Sequence, residues 1–151
     1  MFEESAENFT ARWKNDAAAV QIFPRVENDP LLEFEAGGVI LQALERTGPY
    51  LAHAGPGRAV IHALTELVEP DDRSQAGVEM TGISRGRFHG RIIRREPGFL
   101  VVDVGFSLVT GVLQEPPESL QAGDMVRFEA LPPLHAFVLV DSVQQSHDFE
   151  V

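Results

Sequence analysis

The sequence predicts an α+β fold in which an N-terminal helix and hairpin pack on a C-terminal antiparallel, OB-like β-barrel. Three patterns predict it: a helical apolar period at the start of the chain, two strand-like segments joined by a turn at residues 20–36, and regular short strand-like runs over residues 76–142. We therefore divide the chain into a helical and hairpin subdomain at 1–72, a barrel-like subdomain at 73–143 and a polar tail at 144–151.

The first predicted element is an amphipathic helix. Its apolar residues recur at steps of three and four, as on one helix face: Phe2, Ala6, Phe9, Trp13, Ala17 and Val20. This face either packs on the protein's own core or docks on a partner. A hairpin follows, because residues 20–26 and 31–36 are strand-like and the Glu27–Pro30 segment between them has turn chemistry.

Two apolar segments come next, at residues 38–46 and 58–69. In both, and more clearly in the second, the spacing suits the buried face of a helix, but each is also short enough to be a buried strand. The polar, turn-rich stretch Pro70–Gln75 then separates the two predicted subdomains.

The C-terminal half consists of short strand-like runs separated by glycine and proline. They lie at residues 76–82, 84–95, 98–104, 107–113, 124–130 and 135–142. Such spacing is typical of a small antiparallel barrel or sandwich. Gly82, Gly86 and Gly90 recur every four residues along one face of the first long strand, as expected where a strand coils to close a barrel.

Composition limits the class of protein. The chain has 151 residues, 44% of them hydrophobic, which is enough for a core without a disulfide or a metal. It has no cysteine, so disulfides, thiolate zinc sites and cysteine nucleophiles are excluded. No apolar run reaches the roughly 18–20 residues of a membrane span, and the first residues are acidic. We expect a soluble, cytoplasmic protein with no membrane partner.

Positive charge is concentrated in one window of an acidic chain. The net charge is −11, yet residues 73–95 hold six of the twelve basic residues and a single acid, Glu79, which gives the window +5. Residues 1–72 and 96–151 each carry −8. A basic stretch between acidic flanks is a candidate surface for binding anions, whereas the net charge opposes non-specific binding to nucleic acid.

The candidate binding residues lie on the longest predicted strand, residues 84–95. If side chains alternate, one face carries these residues, interrupted only by Ile93: Arg85, Arg87, His89, Arg91 and Arg95. Arginine binds anions through its planar guanidinium and stacks on bases. Alternatively, Asp103 and Glu129 on neighbouring strands neutralise the row across the sheet.

The sequence assigns no catalytic residue, metal ligand or cofactor. Its five histidines lack the spacing of a helical metal pair, and no nucleophile elbow, phosphate loop or dinucleotide fingerprint is present. These absences lower the expectation of an enzyme.

We therefore predict a non-enzymatic binding or protein-interaction module whose basic strand face binds an acidic protein partner or a second copy, as in a homodimer. One alternative is an OB-like protein that binds single-stranded nucleic acid, which predicts an open arginine groove, exposed phenylalanines and steep salt dependence. The other is a small metal-dependent hydrolase, in which histidine and carboxylate converge, for instance His62 with Asp71 or Asp72.

Overall fold

The protein is mostly β-sheet with one short N-terminal helix, which is broadly consistent with the predicted α+β class. The structure, a computed structural model, describes residues 3–47 and 53–139; Phe2 and the predicted tail at 144–151 lie outside them. The helix α1 spans Ala6–Trp13 and runs into a 3₁₀ turn at Lys14–Asp16. No helix within the described ranges is long and apolar enough to cross a membrane.

Eleven strands follow in the described residues. In chain order they are β1 Ala18–Ile22, β2 Leu31–Ala36, β3 Val39–Glu45, β4 Gly55–Thr65, β5 Val68–Pro70, β6 Gly77–Gly82, β7 Arg85–Glu96, β8 Phe99–Asp103, β9 Ser107–Val112, β10 Met125–Glu129 and β11 Leu131–Val138. The predicted hairpin is confirmed, because β1 and β2 pair antiparallel with Gln21 opposite Glu35.

The N-terminal helix is shorter than predicted, and its apolar face covers the chain's own core. It ends at Trp13, and Val20 lies in β1 instead. Phe9 and Trp13 are buried. The ring centroid of Phe9 lies 4.6 Å from that of Phe137, and the centroid of Trp13 lies 5.0 Å from that of Phe99.

Both ambiguous segments are strands. Residues 38–46 contain β3, and residues 58–69 contain the end of β4 and the start of β5. The helical interpretation was wrong because β4 is covered on both faces: residues 59–63 are all buried. A strand buried on both faces is apolar along most of its length and does not alternate.

Strand β4 belongs to one closed circuit of hydrogen-bonded strands and to one open ladder. It pairs with β1 and β11, and the circuit is completed by β2 and β3. Residues 61–65 of β4 pair in parallel with β9. From β9 the ladder continues through β8, β7 and β10 to β5, which is the next strand after β4 in the chain. The ladder therefore joins strands from both sides of residues 72 and 73; the proposed division there stays a prediction.

Candidate functional site

The first part of β7 presents its basic side chains as alternation predicts. Arg85, Arg87 and Arg91 are exposed and His89 is half-buried, while the residues between them are buried: Gly86, Phe88, Gly90 and Ile92. Strand β7 pairs with β10 along one edge, and along the other edge with β6 first and β8 further on. The exposed face of β7 thus lies in the middle of a strip ordered β6, β7, β10 and β5.

A β-bulge ends this row of basic residues. Ile92 pairs with Val102, but the next partner along β8, Val101, faces Arg94, so that Ile93 is the extra residue. Cross-strand partners share a face of the sheet. Arg95 pairs with Leu100, which lies on the same face of β8 as Val102, so Arg95 shares the face of Ile92. The prediction that Arg95 continues the row was wrong, because a bulge reverses the alternation beyond it.

Two arginines of the window hold the chain between β9 and β10. The Arg95 guanidinium donates to three carbonyl oxygens at 2.6 to 2.7 Å, those of Pro116, Pro117 and Leu120. Arg91 donates to the carbonyl of Gly123. Both side chains are therefore occupied in holding this loop.

The remaining basic residues of the row line a groove of about 600 Å³. Arg85, Arg87 and His89 contribute from β7, and the groove extends over β5, β6 and β10. Among the described residues, its charged lining is balanced, with four arginines and four glutamates: Arg73, Arg85, Arg87, Arg127, Glu66, Glu69, Glu79 and Glu129.

The sheet register places a carboxylate on either side of Arg87. Glu79 of β6 and Glu129 of β10 are its cross-strand partners, and Asp103 is the partner of Arg91. The predicted acidic neighbours are therefore adjacent in the sheet. Within residues 3–47 and 53–139, however, no ion pair joins any of these carboxylates to Arg87 or Arg91.

Among the described residues, Arg85 and Arg87 differ from the other arginines in that their side chains have no hydrogen-bond or ion-pair partner. In the described part of the chain, nine of the eleven arginine side chains form a hydrogen bond or an ion pair with the protein, and these two do not. Arg127 and Arg73, at the other side of the groove, both face Asp71, at 3.7 and 3.8 Å. Two guanidinium groups are thus available to a ligand in the groove.

His89 has a fixed position beside them. Its Nδ1 donates to the carbonyl oxygen of Gln75 at 2.8 Å. Its ring lies close to Gly77, where an added Cβ would lie 2.6 Å from Nε2. His89 therefore forms part of the groove wall.

A second cluster of titratable residues lies beneath α1, on strands β4 and β11. His62 of β4 and His135 of β11 are cross-strand partners, and both direct Nδ1 at Oε2 of Glu3, with 2.6 Å between Glu3 and His135. The Nε of Arg46 donates to the second Glu3 oxygen at 3.1 Å. Glu3 thus links the N-terminal segment to two strands.

Burial and hydrogen bonding oppose each other in this cluster. Burial disfavours the charged form of Glu3, but hydrogen bonds from His135 and His62 outweigh it and hold the pKa of this carboxyl below its ordinary value. For His62, burial dominates over the attraction of Glu3 and lowers the pKa of the imidazole. At neutral pH Glu3 is therefore a carboxylate and His62 a neutral imidazole.

No known family model, curated protein or solved structure matches this chain.

Sequence reasoning found the arginines of the groove but missed the Glu3, His62 and His135 cluster. His62 does not meet Asp71, as the hydrolase alternative suggested, because Asp71 faces Arg73 and Arg127. His62 and His135 lie 59 and 132 positions from Glu3 in the sequence. The antiparallel register of β4 with β11 brings the two histidines together. No local spacing in the sequence carries that signal.

Proposed function

We propose that the protein is a non-enzymatic interaction module that binds an acidic segment of a partner protein in the groove, with Arg85 and Arg87 as the principal binding residues. The single observation that carries this proposal is the contrast among the arginines: within the described ranges the fold uses nine of them in its own contacts and leaves these two without a partner, side by side in a groove.

The chemistry of the two side chains favours a carboxylate ligand. A guanidinium presents a planar fork that forms paired, charge-assisted hydrogen bonds with a carboxylate or phosphate. Glu79 and Glu129 flank Arg87 in the sheet, so the groove has alternating charge rather than a uniformly positive field. A peptide that carries acidic, basic and apolar side chains complements such a surface better than a polyanion does.

Apolar side chains at the groove also favour a peptide. Leu67 lines it and is 48% exposed. By contrast, binding of single-stranded nucleic acid relies on exposed aromatic rings that stack on bases. The five phenylalanines of the described C-terminal half are all buried: Phe88, Phe99, Phe106, Phe128 and Phe137.

The OB-like closure of the C-terminal half belongs to the same proposal. The ladder from β4 through β9, β8, β7 and β10 to β5 supports it, because β5 is the next strand after β4 in the chain, and an OB-like barrel presents the outer face of β7 to a ligand. A second copy of the chain is an acidic protein too, so self-association through the groove is one form that the partner can take.

Fluorescence anisotropy with two labelled probes tests the proposal: an acidic peptide of glutamate and leucine, and an oligothymidylate. We expect the peptide to bind the wild-type chain and the R85E/R87E variant to bind it about tenfold more weakly or worse, because two attractive charge pairs become repulsive. The K14E/R58E variant is the matched control, since it changes the net charge equally at exposed positions outside the groove.

Three results would overturn the proposal. The first is an equal loss of peptide binding in both variants, which would indicate a general charge effect. The second is binding of oligothymidylate in preference to the peptide, with a steep loss between about 50 and 200 mM salt, which would favour the nucleic-acid alternative. The third is no peptide binding together with monomeric behaviour of the wild-type chain in sedimentation.

A further inference from the structure

The cluster beneath α1 brings three metal-binding side chains together. The ligand atoms of Glu3, His62 and His135 lie within 4.8 Å of one another, and they come from three separate parts of the chain. The side chains of His62 and Glu3 are 5% and 9% exposed, and that of His135 is 27% exposed. The donor set is thus buried on one side and open to solvent at His135.

The distances fit a small divalent ion after a minor adjustment. Zinc binds imidazole nitrogen and carboxylate oxygen at about 2.0–2.2 Å, so donors around a tetrahedral ion are about 3.3 Å apart. Oε2 of Glu3 and Nδ1 of His135 are now 2.6 Å apart. Each imidazole therefore has to move away from Oε2 by less than about 1 Å to admit the ion.

The surroundings of the three side chains are those of a metal site. Arg46 holds the second oxygen of Glu3 at 3.1 Å, which fixes the carboxylate and leaves Oε2 for the ion. The ring of Phe9 lies 4.7 Å from that of His62, centroid to centroid, and Phe99 lies 6.0 Å from it, so apolar side chains limit the movement of this imidazole. A charged partner behind the carboxylate and apolar side chains around the imidazole are features that orient the ligands of a metal ion.

We propose that Glu3, His62 and His135 form a binding site for one divalent transition-metal ion of the zinc type. Two imidazoles and one carboxylate are the ligand set that zinc accepts, whereas Mg²⁺ and Ca²⁺ prefer oxygen ligands throughout. Three protein ligands leave one tetrahedral position for water, on the side where His135 is exposed. This site is separate from the groove, and it does not depend on the proposed function.

The bound ion also has a structural consequence. Glu3 precedes α1, whereas His62 and His135 belong to the central strands β4 and β11. An ion held by all three joins the N-terminal segment to the sheet. Binding to the folded chain alone stabilises it, so added Zn²⁺ raises the thermal midpoint.

The test uses the full chain, stripped of metal with EDTA and titrated with Zn²⁺ in a calorimeter. We expect one ion per chain, a higher thermal midpoint with Zn²⁺, and visible absorption bands of a four-coordinate ion when Co²⁺ replaces Zn²⁺. The variant E3Q keeps the size of the side chain but replaces the carboxylate by a neutral amide, and H135N removes the imidazole; we expect each to bind Zn²⁺ at least about tenfold more weakly. Neither changes the deeply buried His62.

Two neighbouring substitutions serve as matched controls. E4Q removes an exposed carboxylate one residue from Glu3, and H53N removes an exposed histidine outside the cluster. We expect both to bind Zn²⁺ as the wild type does. The proposal is overturned if the wild-type chain takes up no stoichiometric Zn²⁺. It is also overturned if E3Q and H135N bind Zn²⁺ as tightly as the wild type while circular dichroism shows them folded. An equal loss of binding in the controls would likewise overturn it, because it would indicate adventitious surface binding. Should H135N fail to fold, E3Q decides.

Discussion

Arg94 forms a two-pronged hydrogen-bonded ion pair with Asp16, from Nη1 to Oδ1 at 2.8 Å and from Nη2 to Oδ2 at 2.6 Å. The bulge at Ile93 is the reason, because it turns Arg94 towards the α1 side of the sheet. Hydrogen bonds with Asp16, and then with Glu96, raise the pKa of the Arg94 guanidinium above its already high value. The pair ties the end of β7 to the turn that follows α1.

Removing this pair destabilises the fold. We expect R94M to lower the free energy of unfolding by about 1–3 kcal/mol, because Asp16 is buried and loses its charged partner, while the partial exposure of Arg94 limits the loss. Urea denaturation measures it. R73M is the control: Arg73 is 61% exposed, so its ion pair with Asp71 is worth about 0–1 kcal/mol. Equal losses in the two variants would contradict this account.

The contribution of Glu96 depends on pH. Its hydrogen bond with Arg94, stronger than the opposing burial, lowers the pKa of the Glu96 carboxyl in the folded chain below the ordinary 4.5. A carboxyl whose pKa falls on folding stabilises the protein above pH 4.5, and this stabilisation is lost as pH falls through the folded-state pKa. We expect E96Q to be less stable than wild type at pH 7 and the difference to shrink at pH 3, in urea denaturation. E118Q, a change at an exposed carboxylate, is the control. A difference in stability between E96Q and wild type that is the same at both pH values would contradict the prediction.

Gly90 is required by a close approach of two strands. A Cβ at this position would lie 2.1 Å from the carbonyl oxygen of Asp103, which belongs to the backbone and cannot turn away. We expect G90A to cost about 3 kcal/mol or to prevent folding, as measured by denaturation. G57A is the control, since its Cβ would meet only the Ile22 side chain at 3.5 Å. Near-equal stability of the two variants would show that β7 and β8 lie further apart.

Arg95 supports the loop between β9 and β10 and takes no part in the groove. We expect R95M to lose about 2 kcal/mol or more of stability, since it removes charge-assisted hydrogen bonds to three carbonyl oxygens. Amide exchange should accelerate at Leu120 and Gly123, which lie in that loop. Binding of the acidic peptide should be unchanged. A loss of binding as large as that of R85E/R87E would return Arg95 to the binding site.

Neutralising the acids beside Arg87 strengthens peptide binding. We expect E79Q/E129Q to bind the acidic peptide about two- to tenfold more tightly, because each removes a repulsive carboxylate and such exposed charge interactions are worth about 0.2–1 kcal/mol. Anisotropy titration measures the change. E33Q/E118Q, with the same change in net charge at exposed positions outside the groove, should bind as the wild type does. Weaker binding by E79Q/E129Q would mean that these acids contact the ligand directly.

Alternation was sufficient to predict the exposed face of β7 from Arg85 to Arg91, because that strand has one solvated face and one buried face. It failed for Arg95, because a bulge adds one residue without any mark in the side-chain pattern. It failed also for β4, where burial on both faces removes the alternation altogether.

The second cluster was beyond reach for a different reason. His62 and His135 are neighbours only through the register of β4 with β11, and Glu3 joins them only through the position of α1 against that pair. Local patterns report on residues a few positions apart, whereas this arrangement depends on the complete strand order.

Because β4 is shared by the closed circuit and the open ladder, a break in the chain near residues 72 and 73 would not release two parts. That segment is exposed, so a protease can reach it. The fragments on either side would still be held by the ladders of β4 with β9 and β11 and of β5 with β10. A nicked chain should therefore elute as one species under native conditions and separate only in denaturant, and the two fragments, expressed apart, should reassemble when mixed.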